Sequence, residues 1–218
     1  MAKQKRDAKV TKAKIIQNAM KLFSQKGYDA TTADDIARES DVNKALIYYY
    51  FKNKAGLYAN VMSGLFLAIR EEIAEADKCC DNPFGELKAF IDTYARYAKK
   101  EPFFPALLLR ELSDNGAHIP DMMFVSMLNL FSLLSDILKR GEAQGIFKKS
   151  TPMIIHFMIL GTINLLVTTG PLRKKAMEVD VTLDTCSECS IDEIAQTLYT
   201  NIKQILEVPN NAKNITCA

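Results

Sequence analysis

Apolar residues recur at helical spacing along almost the whole chain, and no stretch shows the alternation with a period of two that marks a β-strand. The first run carries apolar side chains three, four and seven positions apart, at Ile16, Ala19, Met20 and Phe23. Two shorter helical runs follow between Thr32 and Lys54, separated by a tight turn. The pattern predicts an all-α fold that begins with three helices.

The second and third of these helices have the spacing of a helix-turn-helix unit. Each has one apolar face, at Ile36 and Ala37 in the first and at Val42, Leu46 or Ile47, and Phe51 in the second. Two short helices joined by a turn of three or four residues make this shape. Because the pair cannot bury both faces alone, the preceding helix must complete the core. Three helices around one small core predict a DNA-reading head.

Positive charge is concentrated in the same part of the chain. The first 60 residues hold twelve Lys or Arg and six Asp or Glu, a net of +6, whereas the remaining 158 hold 16 basic and 20 acidic residues, a net of −4. The overall net charge of +2 is therefore a cancellation. A basic segment such as Lys3 to Lys9 is also typical of a solvated tail. Joined to a helix-turn-helix, the basic excess favours contact with a phosphate backbone.

The same residues carry a family resemblance. The chain resembles the N-terminal signature of the TetR (tetracycline-repressor) family of bacterial transcription regulators at Gly27-Tyr28, Thr32, Ile36-Ala37, Val42, Tyr48, Tyr50-Phe51 and Lys54. The resemblance covers about 45 residues, from Thr11 to roughly Leu57. It implies a three-helix DNA-binding domain joined by a long helix 4 to a helical ligand-binding and dimerisation domain, with about nine helices in all.

The resemblance also implies a domain organisation and a function. We expect a helix-turn-helix domain at residues 1–54, of which 1–10 are disordered, an effector-binding and dimerisation domain at 55–208, and a flexible tail at 209–218. Thr11 is the expected N-cap of helix 1. The implied function is a dimeric, ligand-responsive regulator, most often a repressor, whose helix 4 shifts the two DNA heads when an effector binds.

The third helix, from about Asn43 to Tyr49, is the expected recognition helix in the major groove. Lys44, near its exposed N-terminal end, could reach a guanine edge or a phosphate, and Leu46 could pack on a thymine methyl group. By resemblance, Tyr48 and Lys54 match family positions that contact DNA, usually its backbone. The predicted DNA-binding residues are Thr32, Asn43, Lys44, Ala45, Leu46, Tyr48, Tyr49 and Lys54.

Two departures from the family pattern lie in this region. Asp41 occupies a turn position that is usually glycine, although Asp tolerates left-handed backbone geometry better than most residues. Leu46 is bulkier than the usual small residue, which leaves the operator sequence open. For the tyrosines, core packing is the alternative to DNA contact, and we expect it for Tyr50 together with Phe51.

Helical patterns continue through the rest of the chain. They predict helices at about 54–76, 84–99, 103–114 after Pro102, 121–144 and 152–170, and a last helix from its capping residue Ser190 to about Ile205, with a polar loop at 171–189. The helix after Pro152 is apolar nearly all round, but it is short for a membrane span and carries His156 and Asn164. Such a helix must be buried on every side. By resemblance, this helix and the last one pair with their copies in a homodimer, which suits a palindromic operator.

The second domain offers an aromatic and Met-rich lining for a ligand. Pockets are mostly apolar with a few polar anchors, which favours a small, largely apolar effector of unknown identity. The alternative is that most of these residues are plain core, since Met and Phe stripes at helical spacing usually are. The predicted ligand-binding residues are Met62, Phe66, Phe90, Tyr94, Phe103, Arg110, Met127, Phe131, His156 and Asn164.

The chain has five cysteines, an odd number, and no signal peptide is predicted. Both features argue against a disulfide framework. Cys186 and Cys189 have CxxC spacing, yet no second pair of ligands lies nearby. We expect free thiols in a polar loop, with a redox or metal-sensing pair as the alternative, and no cofactor or metal.

No catalytic motif is present, so an enzyme is disfavoured. We expect a cytoplasmic protein. A DNA-binding protein without an effector, gated through Cys186 and Cys189, is a further alternative.

Overall fold

The computed structural model describes residues 2–78, 80–180, 182, 186 and 188–209. Across these residues it contains helices and one isolated bridge between Phe147 and Glu207. The helices are α1 (Ala2–Lys26), α2 (Ala33–Ser40), α3 (Lys44–Phe51), α4 (Lys54–Asp77), α5 (Pro83–Lys100), α6 (Phe103–Ser113), α7 (Asp121–Ala143), α8 (Pro152–Thr168), α9 (Gly170–Val179) and α10 (Ile191–Leu206). The predicted all-α fold is confirmed.

The chain divides into two compact units. The first comprises Met1–Ala68 and Phe103–Met127, and the second comprises Ile69–Pro102 and Leu128–Ala218. The first unit therefore includes α6 and the beginning of α7 as well as the three N-terminal helices. The expected functional boundary between residues 54 and 55 stays a prediction.

The core of the first unit is built on α1, α2 and α3. Phe23 of α1, Ile36 of α2, and Ile47 and Phe51 of α3 are each at most 3% exposed. These four residues belong to the faces that the helical spacing assigned to the interior. On α1, however, Ile15 and Leu22 are buried, whereas the predicted Ile16 and Met20 are half-buried. Helix α1 begins at Ala2 rather than after Thr11, so residues 2–10 belong to the helix. The expectation of disorder missed this because Lys, Gln, Arg and Ala are good helix formers even without an apolar stripe.

Backbone geometry at the helix ends follows the sequence closely. Gly27, with φ of +84°, ends α1, and Asp41, with φ of 51°, adopts the left-handed conformation at the turn before α3. The expectation for Asp41 is confirmed. Thr32 and Ser190 each form a capping box, with Asp35 and Glu193 respectively.

The second unit packs α5 against α8 and α10. Leu87 and Ile91 of α5, Ile159 and Ile163 of α8, and Ile202 of α10 are all fully buried. The hydroxyl of Tyr94 donates a hydrogen bond to Oδ1 of Asn164 at 3.1 Å within this core. The buried side-chain oxygen of Asn164 in α8 thus has a hydrogen-bond donor within the same unit.

Two expectations for the α8–α10 region are wrong. Helix α9, at Gly170–Val179, occupies part of the stretch predicted as a loop, so ten helices are seen instead of nine among the described residues. Helix α9 has no buried residue, and it begins with Gly170-Pro171, a pair that is typical of a turn. Cys186 and Cys189 form a disulfide instead of free thiols. Cys79, Cys217 and nearly all of the predicted tail lie outside the described residues.

Helix α7 is long and apolar enough to cross a membrane, and α8 with α9, bent by 65°, would be a second such segment. These criteria rest on length and composition, and core helices of soluble proteins also satisfy them. They are weak evidence for a membrane protein.

Candidate nucleic-acid interface

Helix α3 turns one face to the core and presents the other to solvent. Ile47 is fully buried, whereas Tyr48 is 45% and Tyr49 79% exposed. Large aromatic side chains are usually buried, so two exposed tyrosines on neighbouring positions indicate a contact surface. Tyr50 is half-buried and packs its ring 6.1 Å from that of Phe51, as expected. Tyr48 and Tyr49 are therefore free to meet another molecule.

The N-terminal end of α3 carries a fixed cation. Asn43 caps the helix by accepting a hydrogen bond from the backbone N–H of Ala45 at 2.8 Å. Lys44 follows, with its Nζ 2.7 Å from Oδ2 of Asp34 and 5.9 Å from the ring centre of Tyr48. The hydrogen bond to Asp34 raises the pKa of Lys44. Because both members of the pair are exposed, phosphates can compete for this ammonium group.

Thr32 is exposed at the start of α2, where its hydroxyl is occupied in capping. The hydroxyl accepts a hydrogen bond from the Asp35 backbone N–H at 3.0 Å and donates one to the Asp35 carboxylate at 2.9 Å. The hydroxyl and the backbone N–H of Thr32 both donate to the Asp35 carboxylate, and these two hydrogen bonds lower its pKa. The observed role of Thr32 is to start α2, while the half-buried Leu46 and the exposed Ala45 lie on α3 with the tyrosines.

Lys54 is directed toward the turn between α1 and α2. Its Nζ donates to the backbone carbonyl of Tyr28 at 3.0 Å and lies 4.1 Å from the centre of the Tyr28 ring. The Tyr28 ring contacts that of Tyr58, 5.0 Å away, and Phe23 completes the cluster. The ammonium group is thus held by protein atoms, which gives Lys54 a positioning role in the head. A direct phosphate contact by Lys54 stays a prediction.

Arg110 of α6 holds the C-terminal end of α1. Its Nε donates to the carbonyl of Ser24 at 3.1 Å, and its Nη2 donates to the carbonyl of Gln25 at 2.9 Å. A cation at this place satisfies the last carbonyls of the helix and complements its dipole. Arg110 was predicted to bind the ligand, and that role stays a prediction. Its contact with α1 was not expected, because nothing in the spacing reveals that α6 packs on α1.

A cavity of about 340 Å³ lies beside this contact. His118 stands in it between two carboxylates, with Nε2 3.4 Å from Asp29 and Nδ1 3.3 Å from Asp114. The ring of His118 also packs 4.6 Å from that of Tyr28. The side chain of His118 therefore connects the segment after α1 with the segment after α6 inside the first unit.

The predicted ligand lining is divided between the two units. Met62, Phe66, Phe103, Arg110 and Met127 belong to the first, and Phe90, Tyr94, Phe131, His156 and Asn164 belong to the second. Met62, Phe66, Phe90 and Tyr94 are at most 1% exposed, as core residues are. Their role in ligand binding stays a prediction.

Among the predicted ligand-binding residues, His156 has a buried polar atom that makes no hydrogen bond within the described part of the chain. Its ring packs edge-on against that of Phe131 at 5.3 Å. Its Nδ1 is buried without a hydrogen-bond partner among the described residues. Burial lowers the pKa of His156 to about 4, so the imidazole is neutral at pH 7. A neutral imidazole can donate to or accept from a ligand.

Two further cavities in the second unit are lined by residues outside the predicted ligand-binding set. One, of about 390 Å³, lies beside Lys99, Arg173 and Lys174, and the other, of about 350 Å³, lies beside Met158 and Leu198. Cys189 borders both. Both cavities depend on α9 or on the loop after it, which explains why helical periodicity alone could not find them.

Helix α8 exposes apolar side chains at one face. Ile154, Phe157 and Leu165 are 59%, 61% and 52% exposed. Gly161 lies on the same face, and a Cβ atom added there would meet no atom within 4 Å. An apolar helix face of this kind is typical of a protein interface.

Two family models match the chain. The model "Bacterial regulatory proteins, tetR family" matches residues 15–61, and "Tetracyclin repressor-like, C-terminal domain" matches residues 83–197. Together they cover the three-helix head and most of the second unit.

Individual relatives agree with the models. The chain is 29% identical over 136 residues to the probable HTH-type transcriptional regulator YttP of Bacillus subtilis, which is 62% of this chain and 66% of YttP. It is 55% identical over 47 residues to the biofilm operon icaADBC HTH-type negative transcriptional regulator IcaR of Staphylococcus aureus, 22% of this chain and 25% of IcaR. The matches thus span just under two thirds of the first relative and about a quarter of the second.

Solved structures show the same fold. A mutant of HlyIIR, 25% identical, aligns over 93% of this chain and 99% of its own with a TM-score of 0.65. The transcriptional regulator FadR from Bacillus subtilis in complex with stearoyl-CoA, 20% identical, aligns over 86% of this chain and 97% of its own with a TM-score of 0.67. The likeness extends over the head and the second unit.

Proposed function

The chain belongs to the TetR family of bacterial transcriptional regulators, and we propose from this premise that it is a homodimeric repressor. In this proposal it binds a palindromic operator and is released when a small, largely apolar molecule binds the C-terminal domain. The regulators that it resembles are not enzymes, so the function lies in binding equilibria.

The exposed face of α3 is the observation that best supports DNA binding. Tyr48 and Tyr49 project from a helix whose other face is locked in the core, and Lys44 stands at its N-terminal end. Recognition helices of helix-turn-helix proteins use their N-terminal residues on base edges and neighbouring groups on phosphates. We assign Lys44 to the groove and Tyr48 to the backbone.

The apolar face of α8 supports the homodimer. Ile154, Phe157 and Leu165 expose apolar surface that a second copy of α8 could cover, with α10 beside it. A two-fold axis at such a face would pair identical surfaces, and it would present one head to each half-site of a palindrome.

The proposal of a small, largely apolar effector rests on residues of the second unit and on two relatives. His156 offers a buried, uncharged hydrogen-bonding atom among aromatic rings. FadR, a structural neighbour, is described in complex with stearoyl-CoA, an amphiphile with a long apolar chain. IcaR, which matches the head, is described as a negative regulator, which favours repression. A regulator that meets chromosomal DNA in a bacterium acts in the cytoplasm.

A titration against the protein's own promoter DNA tests this function. The fraction bound is measured at two salt concentrations, with an unrelated duplex of equal length as the control. We expect two protomers per site, tight binding to the promoter and a loss of affinity at the higher salt concentration. Apolar compounds are then screened for their ability to release the protein from the promoter DNA. Equal affinity for both duplexes would contradict a specific regulator.

A further inference from the structure

The loop between α9 and α10 contains a pair of cysteines joined to each other. Cys186 and Cys189 are three residues apart, with Cα atoms separated by 5.1 Å, and form a disulfide. Cα separations of disulfides are usually between about 4.4 and 6.8 Å, so the loop holds both side chains within bonding range. Such a short ring constrains only this loop and cannot staple distant elements.

We propose that Cys186 and Cys189 are a reversible thiol–disulfide redox site whose co-reactant is a low-molecular-weight disulfide. This site is independent of the proposed repressor function. It gives the second unit a response to the thiol–disulfide balance of its surroundings, and it requires neither DNA nor an effector.

Access to the site is unequal for the two sulfur atoms. Cys189 is exposed, whereas Cys186 is half-buried. Exposed disulfides are the labile ones, because the attacking thiolate must approach the sulfur atom in line. A small thiol or disulfide therefore exchanges first at Cys189, and Cys186 acts as the resolving thiol.

Both ends of the loop are anchored. Arg173 of α9 donates from Nη1 to the backbone carbonyl of Cys186 and from Nη2 to the carbonyl of Leu166 in α8, the latter at 2.6 Å. On the other side, Cys189 immediately precedes Ser190, the N-cap of α10, whose capping box with Glu193 fixes the chain. Held in this way, the two thiols meet at high effective concentration.

The chemistry consists of two exchange steps. The Cys189 thiolate attacks a disulfide RSSR, forming the mixed disulfide Cys189–S–SR and releasing one RS⁻. The Cys186 thiolate then attacks the Cys189 sulfur of the mixed disulfide and releases the second RS⁻. The protein loses two electrons and two protons, and RSSR becomes two RSH. Reduction by excess RSH reverses both steps.

Cys186 and Cys189 lie beside cavities of the second unit, so a change in their redox state alters the lining of these cavities. Cys189 lies on the wall of the two cavities of about 390 and 350 Å³ described above, and Arg173 lines the first. Opening the disulfide removes the covalent bond between Cys186 and Cys189, two residues that both line the cavity of about 350 Å³.

The test equilibrates the full-length protein in buffers with increasing ratios of oxidised to reduced glutathione. Thiols are alkylated after quenching, and peptide mass spectrometry measures the oxidised fraction of Cys186 and Cys189. We expect a reversible transition, identical when approached from the reduced or the oxidised protein. Thiols that persist in the most oxidising buffer overturn the proposal, as does a disulfide that survives excess reduced glutathione in the folded protein.

Three variants sharpen the test. Cys186→Ser should trap a mixed disulfide with glutathione at Cys189, whereas Cys189→Ser should give little adduct at the half-buried Cys186. Arg173→Gln removes charge-assisted hydrogen bonds and should shift the midpoint about ten-fold toward more oxidising buffer. Cys80→Ser is the matched control and should leave the midpoint unchanged. Equal adducts at both cysteines, or an unshifted midpoint in Arg173→Gln, contradict the assigned roles.

Discussion

The hydroxyl of Tyr58 on α4 donates a hydrogen bond to Oε1 of Glu111 on α6. Both residues are buried, at 2% and 4% exposure. The second carboxylate oxygen of Glu111 accepts from the backbone N–H of His118 at 3.3 Å. Burial, reinforced by the carboxylate, raises the pKa of Tyr58 far above its usual range, so the phenol remains a donor. The pair ties α4 to α6 within the first unit.

We expect Tyr58→Phe to destabilise the protein by about 1–3 kcal/mol, because it leaves a buried carboxylate oxygen without its donor. Urea unfolding monitored by circular dichroism measures the change in the free energy of unfolding. Tyr49→Phe, at a 79% exposed position, is the matched control and should change it by less than about 0.5 kcal/mol. Equal stabilities of the two variants would show that Glu111 is satisfied by other groups.

Lys54→Met tests the positioning role of Lys54. The variant keeps the apolar stem but removes the hydrogen bond to the Tyr28 carbonyl and the cation above the Tyr28 ring. We expect a loss of about 1–3 kcal/mol in the free energy of unfolding. Lys139→Met, at an exposed position of α7, is the control. Unchanged stability with weaker DNA binding would instead assign the ammonium group to a phosphate.

Lys44→Ala and Tyr48→Phe are expected to affect DNA binding differently. If Lys44 reads a base, its loss should change the preference among operator variants by about 1–3 kcal/mol at one position. Removing the Tyr48 hydroxyl should weaken binding to all sequences alike, since phosphate contacts carry no sequence information. Fluorescence anisotropy with single-base operator variants separates the two patterns. A uniform loss for Lys44→Ala would place that side chain on the backbone.

Local chemistry explains which parts of the fold could be predicted from the sequence. The turn at Asp41, the cap at Ser190 and the buried face of α3 follow from residue type and spacing over a few positions. The contact of Arg110 with the end of α1 could not be predicted, because its partners lie more than 80 residues away in the chain. Helix α9 was missed because it follows the turn signal Gly170-Pro171 in a polar stretch. Long-range contacts leave no periodic signal in a single sequence.

Phe157→Glu tests the proposed dimer face. A carboxylate at the exposed apolar face of α8 would oppose its own copy across a two-fold axis, where like charges and desolvation both disfavour association. We expect the dimer dissociation constant to rise at least about 100-fold, as measured by sedimentation equilibrium. Gln144→Glu makes the same charge change at an exposed position after α7 and should have no effect. An unchanged dimer in Phe157→Glu would place the interface elsewhere.

His156 should make stability depend on pH in the acidic range. The unfolded chain binds a proton at this histidine below about pH 6.5, whereas the folded protein binds it only below about pH 4. Between these values the unfolded state holds more protons, so stability falls as the pH is lowered from 6.5 toward 4. The contribution is complete above pH 6.5 and disappears as the pH falls through the folded pKa.

His156→Leu should remove this part of the pH dependence while it retains an apolar side chain beside Phe131. The measurement is the free energy of unfolding in urea at half-unit steps from pH 4 to 7.5, for both proteins. We expect the slope of stability against pH to be smaller in the variant throughout pH 4–6.5, and the two slopes to agree above pH 7. Parallel curves over the whole range would mean that folded His156 takes up its proton as readily as the unfolded chain, and hence that solvent or a neighbouring acceptor reaches Nδ1.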